Sequence, residues 1–124
     1  MPPLGHALRV LALVPMITGA ASAVAGAAII PDAGAVSASV ESELRFFSVW
    51  WVGLGLYLWS LAPRVHERGR ELRVACALLF AGGLARLWAI ADAGRPATTF
   101  VVLMAIELVI APLLVLWQSR IGSP

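Results

Sequence analysis

Four runs of apolar residues, each close to the length needed to cross a lipid bilayer, constrain this chain more than any other feature. The hydrocarbon core of a bilayer is about 30 Å thick and an α-helix rises about 1.5 Å per residue. A spanning helix therefore needs about 20 mainly apolar residues. Such runs cover residues 7–30, 44–61, 72–91 and 97–117. Each stops at breakers or charges: Pro31-Asp32, Pro63-Arg64, the stretch from Asp92 to Pro96, and Gln118-Ser119-Arg120. Composition says the same. The 124 residues are 60% hydrophobic and only 13% charged, whereas soluble domains run nearer half apolar and a quarter charged. A soluble fold of this length has no room to hide that surface, so the excess faces lipid. The expected fold is all-α, an integral membrane four-helix bundle, built as one transmembrane domain over residues 1–124.

The arginines orient the spans. Short loops rich in Arg stay on the cytoplasmic side of a membrane. Arg9, Arg64, Arg68, Arg70, Arg73 and Arg120 fall on one side; Arg45 and Arg95 fall on the other with Asp32, Glu41, Glu43 and Asp92. This bias predicts that both termini and the 63–73 loop are cytoplasmic. The cationic residues flank hydrophobic spans and form no stripe, so they predict no nucleic-acid partner. Residues 1–27 also carry features of a signal peptide: Arg9, an apolar run, and Ala21-Ser22-Ala23. The run from Leu8 to Ile30 is long enough to span, and the expectation is a retained first helix.

Local signals place the helix ends. Ser37 and Ser39 suit the N-cap of the second helix, and Glu41 and Glu43 suit its first turn. Pro96 suits the first turn of the fourth. Small residues that permit close helix contact occur in the first helix (Gly19, Ser22, Ala23, Gly26), the second (Gly53, Gly55) and the third (Gly82, Gly83).

The groups with most chemical content are charges at depth. Arg86 lies roughly 8 Å from the outer end of the third run, and Glu107 roughly 15 Å into the fourth, near the midplane. A lone charge there costs at least about 2.5–3.5 kcal/mol, so such groups pair or line a cavity. The two helices are sequential and antiparallel, and an arginine side chain covers most of the difference in depth. Arg45, with Glu43 beside it, opens the second helix on the same side. The candidate ligand-binding set is Glu43, Arg45, Arg86 and Glu107. One reading is an ion pair that fixes helix register. The other is a pocket for a polar or anionic molecule, a lipid head group or a quinone. Pro112 lacks an N–H and frees the carbonyl of Leu108, next to Glu107; Pro15 does the same for Leu11, and each is expected to kink its helix.

Other chemistries find no support. No HExxH, GxSxG or P-loop pattern occurs. His6 and His66 both fall outside the apolar runs, which argues against a paired-histidine haem site. The single cysteine, Cys76, excludes an intrachain disulfide and a CxxC redox pair. No catalytic, metal or cofactor residue is assigned.

Several motifs, in order, resemble a known family. Glu43-Leu44-Arg45-Phe46-Phe47 precedes Gly53 and Gly55. Gly82-Gly83-Leu84-Ala85-Arg86-Leu87 follows in the third run. Glu107-Leu108-Val109 then precedes Pro112-Leu113-Leu114. The set resembles the bacterial membrane family catalogued as domain of unknown function 4345, from about Ala7 to Trp117. The resemblance implies a four-helix protein of the bacterial inner membrane and brings no activity with it. That family is distantly similar to DoxX-like membrane proteins, some of which accompany quinone or thiol redox chemistry; the lone Cys76 departs from a thiol role.

The function expected is that of a non-enzymatic accessory subunit, or a binder of a lipid or small molecule, with a site at Arg86 and Glu107 that opens outward. Its partners would be membrane lipid and a quinone or small polar ligand, together with a second copy of the chain or another membrane protein. The alternative is a small proton-coupled transporter that uses Glu107. Small multidrug transporters have four helices and a similar length, but their essential glutamate lies in the first helix, which has none here.

Overall fold

The computed structural model describes residues 1–121. Among these, the regular structure is all helical. Helix α1 spans Pro3–Ala25 and runs on through a 3-10 turn at Gly26–Ile29. Helix α2 spans Ala38–Leu61 and α3 Gly69–Ala93. The fourth span has three pieces: α4 (Thr98–Ala105), a π-helical turn (Ile106–Ile110) and α5 (Ala111–Ile121). All four are long and apolar enough to cross a membrane. Large apolar side chains are exposed along them, with Val24 at 80%, Trp88 at 78% and Trp50 at 67%. In water such surface would drive aggregation; in a bilayer it is the lipid contact. The chain is a multi-pass membrane protein with four helices, as its apolar runs predict.

The helices overrun the apolar runs at several ends, and a capping side chain marks the start of one of them. Ser37 is the N-cap of α2, where its hydroxyl accepts the N–H of Val40 at 3.2 Å. Helix α1 starts at Pro3, so His6 lies inside it. The fourth span does not end at Gln118; that residue, Ser119 and Arg120 all lie within α5. Pro96 is not in the first turn of α4. It precedes the N-cap, Ala97, which fits the extended backbone of a chain entering a helix.

The chain divides after Pro63 into two compact units, each a helical hairpin. In the first, α1 and α2 meet along a stripe that recurs every seventh residue. Gly5, Ala12, Gly19 and Gly26 face Ala62, Gly55, Ser48 and Glu41 in turn. A seven-residue repeat keeps one stripe on the partner along a whole helix pair. The backbones approach closely: a Cβ on Gly19 would stand 2.9 Å from the Ser48 carbonyl oxygen, and one on Gly55 2.9 Å from that of Ala12. Of the glycines flagged in the sequence, Gly53 faces open space instead and takes no part in this seam.

Some polar groups in this hairpin satisfy one another, whereas the buried Nε of Arg9 has no hydrogen-bond partner. The Trp51 indole N–H donates to the Thr18 hydroxyl at 2.8 Å, and that hydroxyl donates to the Val14 carbonyl at 2.6 Å. The Arg9 guanidinium lies over the Trp59 ring, 4.6 Å from its centre, a contact that eases a cation into an aromatic setting. Pro15 is buried within an uninterrupted α1.

The second hairpin packs α3 against the fourth span. Leu72, Ala75, Cys76, Leu79 and Gly83 form the buried stripe of α3; Glu107, Ala111, Leu114 and Gln118 form the facing one. Gln118 anchors the cytoplasm-predicted end, where its amide donates to the carbonyls of Val65 and His66 at 3.3 and 3.4 Å. At the other end, Gly94 stops α3 in a positive-φ, extended conformation (φ 96°, ψ −179°) that favours glycine, and its N–H closes the last turn on Ile90.

Candidate functional site

The site begins with a missing hydrogen bond. Pro112 has no N–H to offer the Leu108 carbonyl, and its ring crowds that carbonyl. The fourth span answers by widening one turn: the Ala111 N–H bonds to Ile106, five residues back, and residues 106–110 form a π turn. Such turns are rare and occur often at functional positions. The sequence predicts a kink at this proline; the structure shows that a π turn accommodates the lost bond. Pro15, the other intrahelical proline, produces no comparable break.

Glu107 sits in that turn and is buried, 4% exposed. Its carboxylate oxygen Oε1 accepts a hydrogen bond from Arg86 Nε at 2.7 Å, and the two form a salt bridge. Two glycines on α3 make the approach feasible. A Cβ on Gly83 would stand 2.8 Å from the Leu108 side chain and 3.1 Å from Glu107 Cβ; the second Glu107 oxygen lies beside Gly82. The difference in depth between Arg86 and Glu107 is smaller than the apolar runs suggest. Helix α3 continues to Ala93 and α4 starts only at Thr98, which leaves roughly 3 Å between them along the helix axes.

Arg86 spends one of its five N–H groups on Glu107. Its guanidinium carbon lies 5.9 Å from the centre of the Phe100 ring. Beside it, toward the connection between α3 and α4, is a cavity of about 320 Å³, within the range of small-molecule sites. Arg86 and Arg95 are the charged residues on its wall, and Ile90, Pro96, Phe100 and Met104 supply much of the rest. Arg95 also donates to the Thr98 hydroxyl at 3.2 Å. Charge-assisted, planar donors of this kind suit carboxylate and phosphate groups. Among the described residues, no three His, Cys, Asp or Glu side chains gather as metal ligands would.

Glu43 and Arg45 belong to the first hairpin. Glu43 is exposed on α2. Arg45 is engaged locally: Nε bonds to Glu41 at 3.0 Å, and Nη1 to the carbonyls of Val24 and Ala23 at 2.9 and 3.3 Å. Glu41 in turn accepts the Ala27 N–H at 3.2 Å. The pair caps the end of α1, satisfying carbonyls and an N–H that the helix itself leaves free. Gly26 (φ 64°) makes room, since a Cβ there would run into the Glu41 carboxylate.

A profile of the family described as Domain of unknown function (DUF4345) matches residues 4–118. The chain belongs to this family. No curated protein and no solved structure matches it. The DUF4345 match takes in nearly all of the four spans, including the Arg86–Glu107 pair, the glycines beside it and the π turn.

Three residues of this DUF4345 protein outside the candidate ligand-binding set are put to use by the fold: Glu41, Arg95 and Phe100. Glu41 is readable in hindsight from its spacing to Arg45, since i and i+4 share a helix face. In the sequence Arg95 reads as a flanking charge and Phe100 as part of an apolar run. Nothing short of the folded corner between α3 and α4 brings those two to Arg86.

Proposed function

We propose that this DUF4345 protein is a non-enzymatic membrane protein that binds a small polar or anionic molecule, or a lipid, at a site built on Arg86 and Glu107. It would lie in a bacterial inner membrane with both termini cytoplasmic, and the site would open on the opposite face. The observation that carries the reading is a charged pair held inside a membrane span, with a cavity on the arginine's free side. A pair that served only to fix helix register would need no space beside it.

Native mass spectrometry of the protein, gently extracted from its own membrane, tests this. We expect a stoichiometric small molecule that is retained by the wild type and lost or weakened in Arg86→Lys, which keeps the charge but not the planar donor array. Bare protein after mild extraction would overturn the reading.

The alternative, proton-coupled transport through Glu107, draws support from the carboxylate's place in a π turn. Against it, a proton taken up by Glu107 would neutralise the ion pair and leave the charge of Arg86 uncompensated in the span in each cycle. Proton flux in liposomes that Glu107→Gln abolishes would favour transport over binding.

A further inference from the structure

The cavity's position says more about its ligand than its charge alone. The connection Gly94–Ala97 joins two membrane-spanning helices, so it lies at a membrane surface. From there the cavity wall descends to Arg86 on α3 and Met104 on α4. Arg86 is about 10 Å below the end of α3. The space therefore starts at the level of lipid head groups and continues to the level of acyl chains.

Its lining changes in character to match. Arg95 stands in the connection, and Arg86, long enough to reach upward, lies below it. Ile90, Phe100 and Met104 form an apolar wall. The Glu107 carboxylate takes Nε of Arg86, which leaves the guanidinium's remaining N–H groups for another acceptor. On the wall and in contact with it, two arginines and one carboxylate leave an excess of a single positive charge; Asp92, in the last turn of α3, is exposed and off the wall. That balance fits one negative charge, and the apolar wall fits a hydrocarbon chain attached to it. A freely soluble anion would use the arginines and leave the wall unmatched.

We propose that this corner cavity is a phospholipid site: it holds the singly charged phosphodiester of an anionic lipid between Arg86 and Arg95, with the start of an acyl chain against Ile90, Phe100 and Met104. The proposal deepens the binding reading above and rests on it. The phosphodiester accepts hydrogen bonds from both guanidiniums, and a zwitterionic lipid is disfavoured because its own cation meets the same arginines.

The full-length protein, purified and exchanged into vesicles of equimolar phosphatidylglycerol and phosphatidylcholine with identical chains, provides the test. Native mass spectrometry reads the lipid that stays bound. We expect phosphatidylglycerol to be retained in excess. Arg95→Gln should reduce that excess by about tenfold, the loss of a charged hydrogen bond. Arg95 lies in an exposed connection, so this variant spares the buried pair, and a melting curve checks its fold. Phe100→Ala should also weaken retention, whereas Arg120→Gln, at the far end of α5, should not. A parallel arm offers inorganic phosphate and glycerol phosphate to delipidated protein.

Equal retention of the two lipids, or an excess that Arg95→Gln leaves intact, would overturn the lipid assignment. If inorganic phosphate or glycerol phosphate binds in an Arg86-dependent way while the lipids do not, the ligand is a soluble anion: the lipid proposal fails and the binding function stands. If neither lipid nor anion binds and the protein leaves its own membrane bare, both fail.

Discussion

Glu107 and Arg86 are the residues on which most of the chemistry turns. Each alone would be expensive in a bilayer, and each makes the other tolerable. Glu107→Gln removes the pairing and leaves Arg86 to seek water. The cost should approach the ~2.5–3.5 kcal/mol of a lone charge in a span, reduced by whatever water reaches a guanidinium that is 33% exposed. Denaturation of the purified protein would show it as a lower midpoint. The double variant Arg86→Glu/Glu107→Arg should recover part of the loss, because the attraction is restored while the geometry around Gly82 and Gly83 is not. No recovery would mean that the pair's worth lies in its hydrogen-bond geometry rather than in its charge. Glu41 and Arg45 play a different part: they satisfy backbone groups at the end of α1.

At the scale of elements, the two hairpins solve the same problem with different means. Apolar side chains gain little by leaving lipid for protein, so helices in a membrane associate through close packing and a few hydrogen bonds. The α1–α2 hairpin uses small residues at every seventh position, together with the bond from Trp51 to Thr18. Trp51→Phe should cost about 0.6 kcal/mol, the usual worth of such a bond in a membrane. Gly55→Leu should cost considerably more, since its Cβ alone would meet the Ala12 carbonyl at 2.9 Å and the helices must part. Thermal unfolding of the two variants side by side would rank packing against hydrogen bonding; a larger loss from Trp51→Phe would reverse the order expected here. The second hairpin uses a π turn and a glycine pair to bring one buried ion pair together.

For the whole molecule, the arginine distribution makes a firm statement about insertion. Six arginines flank one side of the spans and two the other, so the termini should lie in the cytoplasm. Reporter tags on each end test this, and a C-terminus on the outer face would overturn it. Replacing Arg64, Arg68, Arg70 and Arg73 by Gln should erase most of the bias and yield a mixed population of orientations. The corner cavity between α3 and α4 would then face either leaflet, so retention of anionic lipid and orientation can be measured on the same variants.

Much of this was legible without coordinates, and the reason is that the bilayer imposes a length and a polarity on anything that crosses it. Apolar runs of about 20 residues have one reading there, so the four spans followed directly. The Ser37 cap and the proximity of Arg86 to Glu107 followed as well, because each depends on local spacing and on the cost of an unpaired charge. What could not be read was the use made of residues whose chemistry is weak or ordinary in sequence. Pro112 signals a lost hydrogen bond, but the π turn that accommodates it and the packing of Glu107 and Leu108 on Gly82 and Gly83 appear only in the fold. Arg45 reads as a ligand-binding candidate and Glu41 as a first-turn acid of α2 until the end of α1 is laid beside them. Arg95 and Phe100 become neighbours of Arg86 only when the connection between α3 and α4 turns the chain back on itself. Depth along a helix is one-dimensional and is written in the sequence; which faces meet is a property of the fold.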